Sequence, residues 1–154
     1  MWKYGVIAEP LPRPKSAATS NHMRLIRTKR TEPELRVRAI LRRRGVRFLG
    51  NQRQLPGSPD LVIPTCNLVI FVNGCFWHGC PRCFRPPKHN RQWWLRKIAG
   101  NRRRDQRATR ALQRLGYSVM HIWEHDGDVR IANRITKHLS GRAANGYFGK
   151  ACLG

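Results

Sequence analysis

Three cysteines and one distant histidine make the most informative chemical pattern in the sequence. Cys75, Cys80 and Cys83 have the spacing Cys-x4-Cys-x2-Cys, and His125 follows a predicted strand much later in the chain. Three thiolates and an imidazole are the ligands of a closed tetrahedral zinc site, which stabilises a fold and keeps no open position for a substrate. The pattern therefore predicts a structural Zn²⁺ bound by these four side chains.

The sequence leaves alternatives to this ligand set. The cysteines would also suit a disulfide, which a reducing compartment disfavours, or be unrelated buried thiols. His125 is preferred as the fourth ligand because the strand before it can lie beside the strand that leads to Cys75. The remaining cysteines, Cys66 and Cys152, are predicted to be a core thiol and a tail thiol. The histidines that compete with His125 are His78, His89 and His121.

A second pattern offers oxygen ligands for a hard cation. Asp60 opens one predicted strand, Val72 ends the next, and Glu34 lies on the first predicted helix. Metal-dependent cleavage of a phosphodiester needs oxygen ligands for a cation that lowers the pKa of an attacking water, and a carboxylate and a neighbouring backbone carbonyl supply them. The alternative is that Asp60 caps the turn at Ser58 and Pro59.

The third pattern is the run Phe76-Trp77-His78 inside the cysteine-rich loop. Two adjacent aromatic side chains are either part of the core, which spacing alone favours, or a wedge between stacked bases. His78 has the side chain whose pKa suits proton transfer near neutrality. A histidine without known partners is otherwise a metal ligand or a surface residue.

The elements that position these residues follow from hydrophobic periodicity. We predict a helix from the N-cap Thr31 to Gly45, and a long helix over 90–115 that Gly100 can interrupt. Consecutive apolar residues at 68–72 predict a central strand that is covered on both faces. The order α-β-β-β-α-β-α indicates an α/β domain. The other predicted strands are 46–49, 60–63 and 117–123, and a last helix contains Val129, Ile131, Ile135 and Leu139.

The charge of the chain identifies a class of partner. Lys and Arg number 31 against 8 Asp and Glu, which gives a formal net charge of +23. A charge of this size repels itself in the folded state unless a polyanion relieves it, so nucleic acid is the expected partner. A ribosomal or membrane-surface protein has the same balance, and the charge therefore predicts phosphate contacts without predicting a reaction.

Several segments together resemble the very-short-patch mismatch repair (Vsr) endonucleases. The resemblance runs from about Ser20 to His125, and the combination of the GCFWH core with the later Trp/Lys/Asn segment is highly specific. It implies a restriction-endonuclease-like fold, with a central mixed sheet flanked by helices and a structural zinc site. The segments that carry the resemblance are LPGSPD (55–60), FVNGCFWHGCP (71–81), WLRKIAGN (94–101) and IWE (122–124).

The resemblance implies an activity and a catalytic site. The family nicks double-stranded DNA on the 5′ side of the thymine in a G·T mismatch, with catalytic Mg²⁺. Asp60 falls on the family's magnesium-binding aspartate, and Val72 on a residue whose backbone carbonyl helps to bind the ion. Glu34 falls on a helix glutamate of the active site, and His78 on a histidine thought to act in proton transfer.

The resemblance also implies residues that bind DNA and zinc. Met23, Phe76 and Trp77 fall on residues that wedge into the base stack, whereas Lys97 and Asn101 fall on a pair that contacts the mismatched bases. One helical turn separates that pair, so both lie on one face. The zinc ligands of the family fall on the four predicted here, with a different Cys/His choice at two of them.

One residue departs from the family pattern. Asn73 stands before Gly74-Cys75, where the best-known member has a catalytic histidine. An amide can hold a water or a phosphate oxygen but cannot take up a proton near neutral pH. The departure leaves two alternatives to mismatch repair: a strand-nicking or homing-type endonuclease on the same scaffold, and a zinc-containing nucleic-acid-binding module without catalysis.

The expected organisation is a flexible basic arm over 1–20 with three prolines, an endonuclease domain over 21–140 and a tail over 141–154. No apolar run approaches the roughly 20 residues of a membrane-spanning helix, and no secretory signal opens the chain. We expect a monomer in the bacterial cytoplasm, associated with the nucleoid, with mismatch-repair proteins as accessory partners.

Overall fold

The computed structural model describes residues 31–143. Along them helices and strands follow in the order α1-β1-β2-β3-α2-β4-α3, which confirms the predicted order. A short 3₁₀ turn, Pro64–Cys66, joins β2 to β3. The helices are α1 (Glu32–Arg43), α2 (Arg91–Arg114) and α3 (Asp128–Ala143), and the strands are β1 (Leu49–Gly50), β2 (Leu61–Ile63), β3 (Leu68–Asn73) and β4 (Ser118–Trp123).

The four strands form one mixed sheet in the order β1-β2-β3-β4. The pairs β1/β2 and β2/β3 are antiparallel, whereas β3 and β4 are parallel. Leu68, Val69 and Ile70 of β3 are completely buried, as expected for a central strand covered on both faces. A parallel pair needs a long crossover connection, and α2 lies in that connection between β3 and β4.

Two apolar clusters lie on opposite faces of the sheet. On one face α1 and α3 pack against β3 and β4, with Ile40, Ile70 and Ile135 among the buried residues. On the other face Phe71 of β3 packs with Leu112 of α2. Successive side chains of a strand point to opposite faces, so Asn73, two residues after Phe71, points to the α2 face. Cys66 lies in the first cluster and is a core thiol, as predicted.

Two predicted boundaries were wrong. The strand predicted over 46–49 begins later, because Val46 belongs to the end of α1: its N–H donates to the Leu41 carbonyl, and the Gly45 N–H donates to the Arg42 carbonyl. This is the Schellman arrangement, with Gly45 at a φ of 67°. Gly100 does not interrupt α2, which continues through it.

The ends of the chain lie largely outside the described residues. The predicted arm 1–20 and the tail are among them, apart from residues 141–143, which end α3. Met23 and Cys152 also lie outside. Over residues 31–143, no helix is both long and apolar enough to cross a bilayer.

Alanine substitutions at two glycines are expected to change stability in opposite directions. At Gly57 the backbone φ is +77°, and an added Cβ would lie 2.6 Å from the Ala108 Cβ, whereas an added Cβ at Gly100 meets nothing within 4 Å. We expect Gly57→Ala to lower the free energy of unfolding by about 1–3 kcal/mol through overpacking and strain. Gly100→Ala should raise it by about 0.5–1 kcal/mol because a helix interior favours alanine. Urea unfolding of both variants tests this, and equal midpoints would contradict the described packing.

Candidate metal centre and catalytic cleft

The metal-ligating residues leave the sheet at one edge. In the parallel register Asn73, the last residue of β3, is opposite Trp123, the last residue of β4. Cys75 follows the first strand by two residues, and His125 follows the second by two. The equal offset places the two side chains together, which is the relation that the sequence pattern predicted between the strands.

The four predicted ligand atoms form one compact group. The Nδ1 of His125 lies 3.0 Å from the Sγ of Cys75, 3.3 Å from that of Cys83 and 3.7 Å from that of Cys80. All four atoms lie within 4.8 Å of one another. Ligand atoms around a tetrahedral Zn²⁺ are about 3.4–3.8 Å apart, given its usual bond lengths. The donor set and its spacing therefore fit a closed structural metal site.

The thiols of this group have shifted pKa values. Burial raises the pKa of the Cys75 thiol well above its usual range, and hydrogen bonds with Cys83 and Cys80 add to the effect. At Cys80 burial also acts upward, but the pKa is lowered overall because the backbone N–H groups of Cys83 and Arg82 stabilise the thiolate. A bound cation would favour the deprotonated form of every thiol in the group.

The remaining side of His125 faces a buried carboxylate. Asp126 is 2% exposed, and its Oδ1 lies 3.9 Å from the His125 Nε2. Its Oδ2 accepts a hydrogen bond from the backbone N–H of Trp123, and Arg130 and Arg134 lie 3.4 and 3.5 Å from its oxygens. At 3.9 Å this carboxylate is a charge partner of the ring rather than a hydrogen-bond acceptor, on the side where zinc sites usually place an outer-shell carboxylate.

A second acidic residue, Glu124, holds the loop over 74–90 that contains the three cysteines and is called here the metal-binding loop. The backbone N–H of Cys75 donates to the Oε1 of Glu124 at 2.9 Å, and the N–H of Cys80 donates to the Cys75 carbonyl at 2.8 Å. The N–H of His78 donates to the Gly74 carbonyl at 3.2 Å. Glu124 therefore connects the residue after β4 to the start of the loop after β3.

The predicted carboxylate of the hard-cation site lies beside the predicted strand end. Asp60 is 3% exposed, and its Oδ2 accepts a hydrogen bond from the backbone N–H of Val72 at 2.8 Å. Glu34 is buried and pairs with Arg38, whose guanidinium lies over Gly50 in the strand that pairs with β2. The structure therefore brings Asp60 and Val72 into contact. Glu34 lies on α1, and its partner Arg38 reaches β1 near the start of β2, where Asp60 is.

His78 has a partner that the sequence pattern did not predict. Its Nδ1 lies 2.7 Å from the Oδ2 of Asp105, which is on α2. Acidic residues are rare in this chain, and Asp105 stands alone after three consecutive arginines, so its scarcity was the available signal. The pair is the arrangement of an oriented acid or base, in which the carboxylate fixes one ring nitrogen and proton transfer uses the other.

This pair lines a cleft of about 370 Å³ between β3, β4 and α2, and most of the residues around it have polar side chains. Asn73, the departure from the family pattern, lines the same cleft and is 5% exposed. Two arginines of α2, Arg102 and Arg110, add positive charge to the cleft. The residues of the cleft that concern its chemistry are Asn73, His78, Arg102, Asp105, Arg110 and His121.

The aromatic residues of the loop are half-buried in a larger cluster. The Phe76 ring lies 5.0 Å from the Trp94 ring, 5.3 Å from Trp77 and 5.7 Å from Phe84, and Trp93 packs edge-on against Trp94. Such edge contacts are favourable geometries for aromatic rings. Phe76 and Trp77 are half-buried and thus keep part of their surface exposed.

The predicted base-contact pair has unequal exposure. Lys97 is half-buried, and burial, with the nearby Arg104 charge, lowers the pKa of its ammonium. Asn101 is 1% exposed, its Nδ2 donates to the Trp77 carbonyl at 2.7 Å, and its Oδ1 accepts from Arg104. Asn101 therefore supports the metal-binding loop at Trp77. The contact of Lys97 or Asn101 with bases stays a prediction.

Comparison with known proteins identifies relatives over most of the chain. A family model described as DNA mismatch endonuclease Vsr matches residues 15–83. The type II nicking enzyme V.XorIIP of Xanthomonas oryzae pv. oryzae is 45% identical over 104 residues, which are 66% of this chain and 76% of the relative. The DNA mismatch endonuclease Vsr of Escherichia coli is 40% identical over 110 residues, 70% of each chain. The type II nicking enzyme V.NaeI of Lentzea aerocolonigenes is 33% identical over 122 residues, 75% of this chain and 72% of the relative.

These matches agree with the architecture. The order α1-β1-β2-β3-α2-β4-α3, with a mixed sheet between helices, is the restriction-endonuclease-like fold of the family. The metal cluster and the cleft lie at the end of the parallel strands of that fold. The chain belongs to the Vsr family of DNA endonucleases.

Proposed function

We propose that this protein is a magnesium-dependent endonuclease that nicks one DNA strand on the 5′ side of the thymine in a G·T mismatch. The observation that carries the proposal is the contact between the buried carboxylate of Asp60 and the end of β3 at Val72. It lies one residue before Asn73, which lines the cleft with His78.

Asp60 and the carbonyl of Val72 would hold the magnesium ion. In a paired strand the N–H and C=O of one residue point to the same side, so the Val72 carbonyl faces the side on which its N–H meets Asp60. A carboxylate and a backbone carbonyl are hard oxygen ligands that suit Mg²⁺. When bound there, the cation would lower the pKa of a water and neutralise charge on the phosphate.

The remaining roles fall to side chains of the cleft. His78, with Nδ1 fixed by Asp105, would exchange a proton through Nε2 with the attacking water or the leaving oxygen. Arg102 and Arg110 supply positive charge for the phosphate backbone. Glu34 would act from α1 through Arg38, its buried partner, rather than by direct contact with the ion.

Mismatch specificity is supported by the aromatic loop. Phe76 and Trp77 remain partly exposed while Trp94 and the metal cluster support them from below, which suits residues that insert between base pairs. A mismatched pair costs less to unstack than a matched one, so such a wedge selects mismatches energetically. Mismatch-repair accessory proteins, a monomeric state and association with the nucleoid belong to the same proposal.

A nicking enzyme without mismatch specificity is the second candidate. It is favoured by the burial of Asn101, whose amide is engaged by the Trp77 carbonyl and Arg104 rather than presented to bases. Two of the relatives described above are named type II nicking enzymes. Membership of an endonuclease family disfavours the non-catalytic zinc module.

The magnesium proposal predicts that Asp60→Asn abolishes nicking while DNA binding persists. The variant keeps the size of the side chain and an oxygen for the Val72 N–H, but it loses the charge that holds the cation. We expect the single-turnover rate with Mg²⁺ to fall by about 10³-fold or more. The matched control is Asp128→Asn, which removes a surface carboxylate paired with Arg36 and should nick at the wild-type rate. Cleavage by Asp60→Asn at a near-normal rate would exclude Asp60 as the ligand.

The specificity proposal predicts faster nicking of a G·T duplex than of its matched twin. A saving of about one to two kcal/mol in unstacking corresponds to a rate increase of about five- to thirtyfold. Two duplexes of identical flanking sequence, one with G·T and one with the matched pair, should be compared under single-turnover conditions with Mg²⁺. Equal rates on both would favour the non-mismatch nicking enzyme.

The metal cluster is proposed to hold one structural Zn²⁺ through Cys75, Cys80, Cys83 and His125. We expect about one equivalent of zinc per purified chain, and unfolding on chelation, because such sites contribute folding energy directly. Cys83→Ser should lose most of the metal, whereas the control Cys66→Ala, a core thiol outside the cluster, should retain it. Full zinc content in Cys83→Ser would remove that residue from the ligand set.

A further inference from the structure

His121 occupies a fixed position on the cleft side of the sheet. In the parallel register it is opposite Phe71, and the two rings stack with centroids 5.3 Å apart and planes inclined by 12°. The stack and the strand beneath it restrict the rotation of the side chain, because χ1 and χ2 are both constrained. The imidazole therefore presents its two nitrogens in set directions.

Both nitrogens of His121 have partners on neighbouring elements. Its Nδ1 lies 3.1 Å from the Nδ2 of Asn73 on β3, and its Nε2 lies 3.0 Å from the Oγ1 of Thr109 on α2. An amide nitrogen only donates, so Nδ1 is the acceptor and the ring proton is on Nε2, which donates to the threonine. The chain Asn73–His121–Thr109 joins both parallel strands to the crossover helix.

The environment of His121 keeps the ring neutral. Burial lowers the pKa of the imidazole; the nearby Asp105 acts in the opposite direction, and His78 and Arg134 lower the pKa further. A neutral ring can accept from Asn73, whereas an imidazolium cannot.

We propose that His121, held by Thr109, is a positioning residue for Asn73 in the cleavage reaction, a role that rests on the proposed nuclease function. An amide that rotates by 180° exchanges its acceptor and its donors at the same place. With one N–H committed to His121, the carbonyl oxygen and the second N–H of Asn73 have defined directions in the cleft that Asn73 lines with His78. The amide can then accept from the attacking water or donate to a phosphate oxygen, and geometry fixed in advance lowers the barrier.

Two substitutions at His121 separate positioning from packing. His121→Phe keeps the ring that stacks on Phe71 but cannot accept from Asn73, whereas His121→Gln loses the ring but retains an acceptor and a donor. We expect His121→Phe to lower the single-turnover nicking rate by about tenfold or more with little change in DNA affinity, and His121→Gln to recover part of it. Full activity of His121→Phe would overturn the proposal. So would a loss of rate that depends only on the missing ring, with His121→Gln less active than His121→Phe.

A double-mutant cycle tests whether His121 acts through the amide. In an Asn73→Ala background the further change His121→Phe should have no additional effect on the rate, because the group that His121 positions is already absent. Multiplicative losses in the double variant would show an independent role for His121 and would overturn the proposal.

A measurement on the unmodified protein tests the proposal even where the variants fail to fold or the wild type nicks no duplex. Nitrogen-15 NMR of the histidine rings should show His121 as the neutral tautomer with the proton on Nε2 at neutral pH. A proton on Nδ1, or an imidazolium, would overturn the positioning role. Absence of cleavage by the wild type together with the expected tautomer would contradict the nuclease function and, with it, the catalytic use of this hydrogen bond.

Discussion

The parallel pairing of β3 with β4 is the constraint on which both sites depend. The register runs unbroken to the pair Asn73 and Trp123, so the residues that follow each strand leave the sheet together. Cys75 and His125 meet for this reason, although they are far apart in the sequence. The crossover helix α2 that a parallel pair requires also brings Asp105 over the strand ends. A shift of one residue would turn Asn73 to the opposite face and separate the metal ligands at the same time.

A single buried carboxylate connects the metal cluster to the helices of the other face. Asp126 faces His125 with one oxygen and the arginines of α3 with both, while its backbone carbonyl accepts a hydrogen bond from Arg36 on α1. The metal-binding loop, α1 and α3 therefore share one anchor. This arrangement explains how a loop rich in glycine and proline can support half-buried aromatic rings without a regular element of its own.

The order of elements was predictable because hydrophobic periodicity is local, and the consecutive apolar residues of β3 identified the central strand correctly. The start of β1 was missed because Val46 is held by the capping geometry of α1, which a short apolar run does not reveal. The metal ligands were proposed from spacing and type, and their side chains lie together in the structure. Asp105 and Thr109 were not identified, because their nearness to His78 and His121 depends on how α2 crosses the sheet. The residue types can be read from the sequence, but the angle and position at which α2 crosses the sheet cannot.

Acidic side chains are few in this chain, and most of those described hold the interior, the cleft or the metal loop. Glu34, Asp60 and Asp126 are buried, and Asp105 and Glu124 are engaged with the cleft histidine and the metal loop. Glu32 and Asp128 remain exposed on α1 and α3, so little negative charge offsets the exposed arginines of α2. The formal net charge of +23 therefore attracts DNA of any sequence. Dissolved salt weakens that attraction within a Debye length of about 8–10 Å, so ionic strength controls how often the enzyme encounters DNA without reaching the shielded carboxylates.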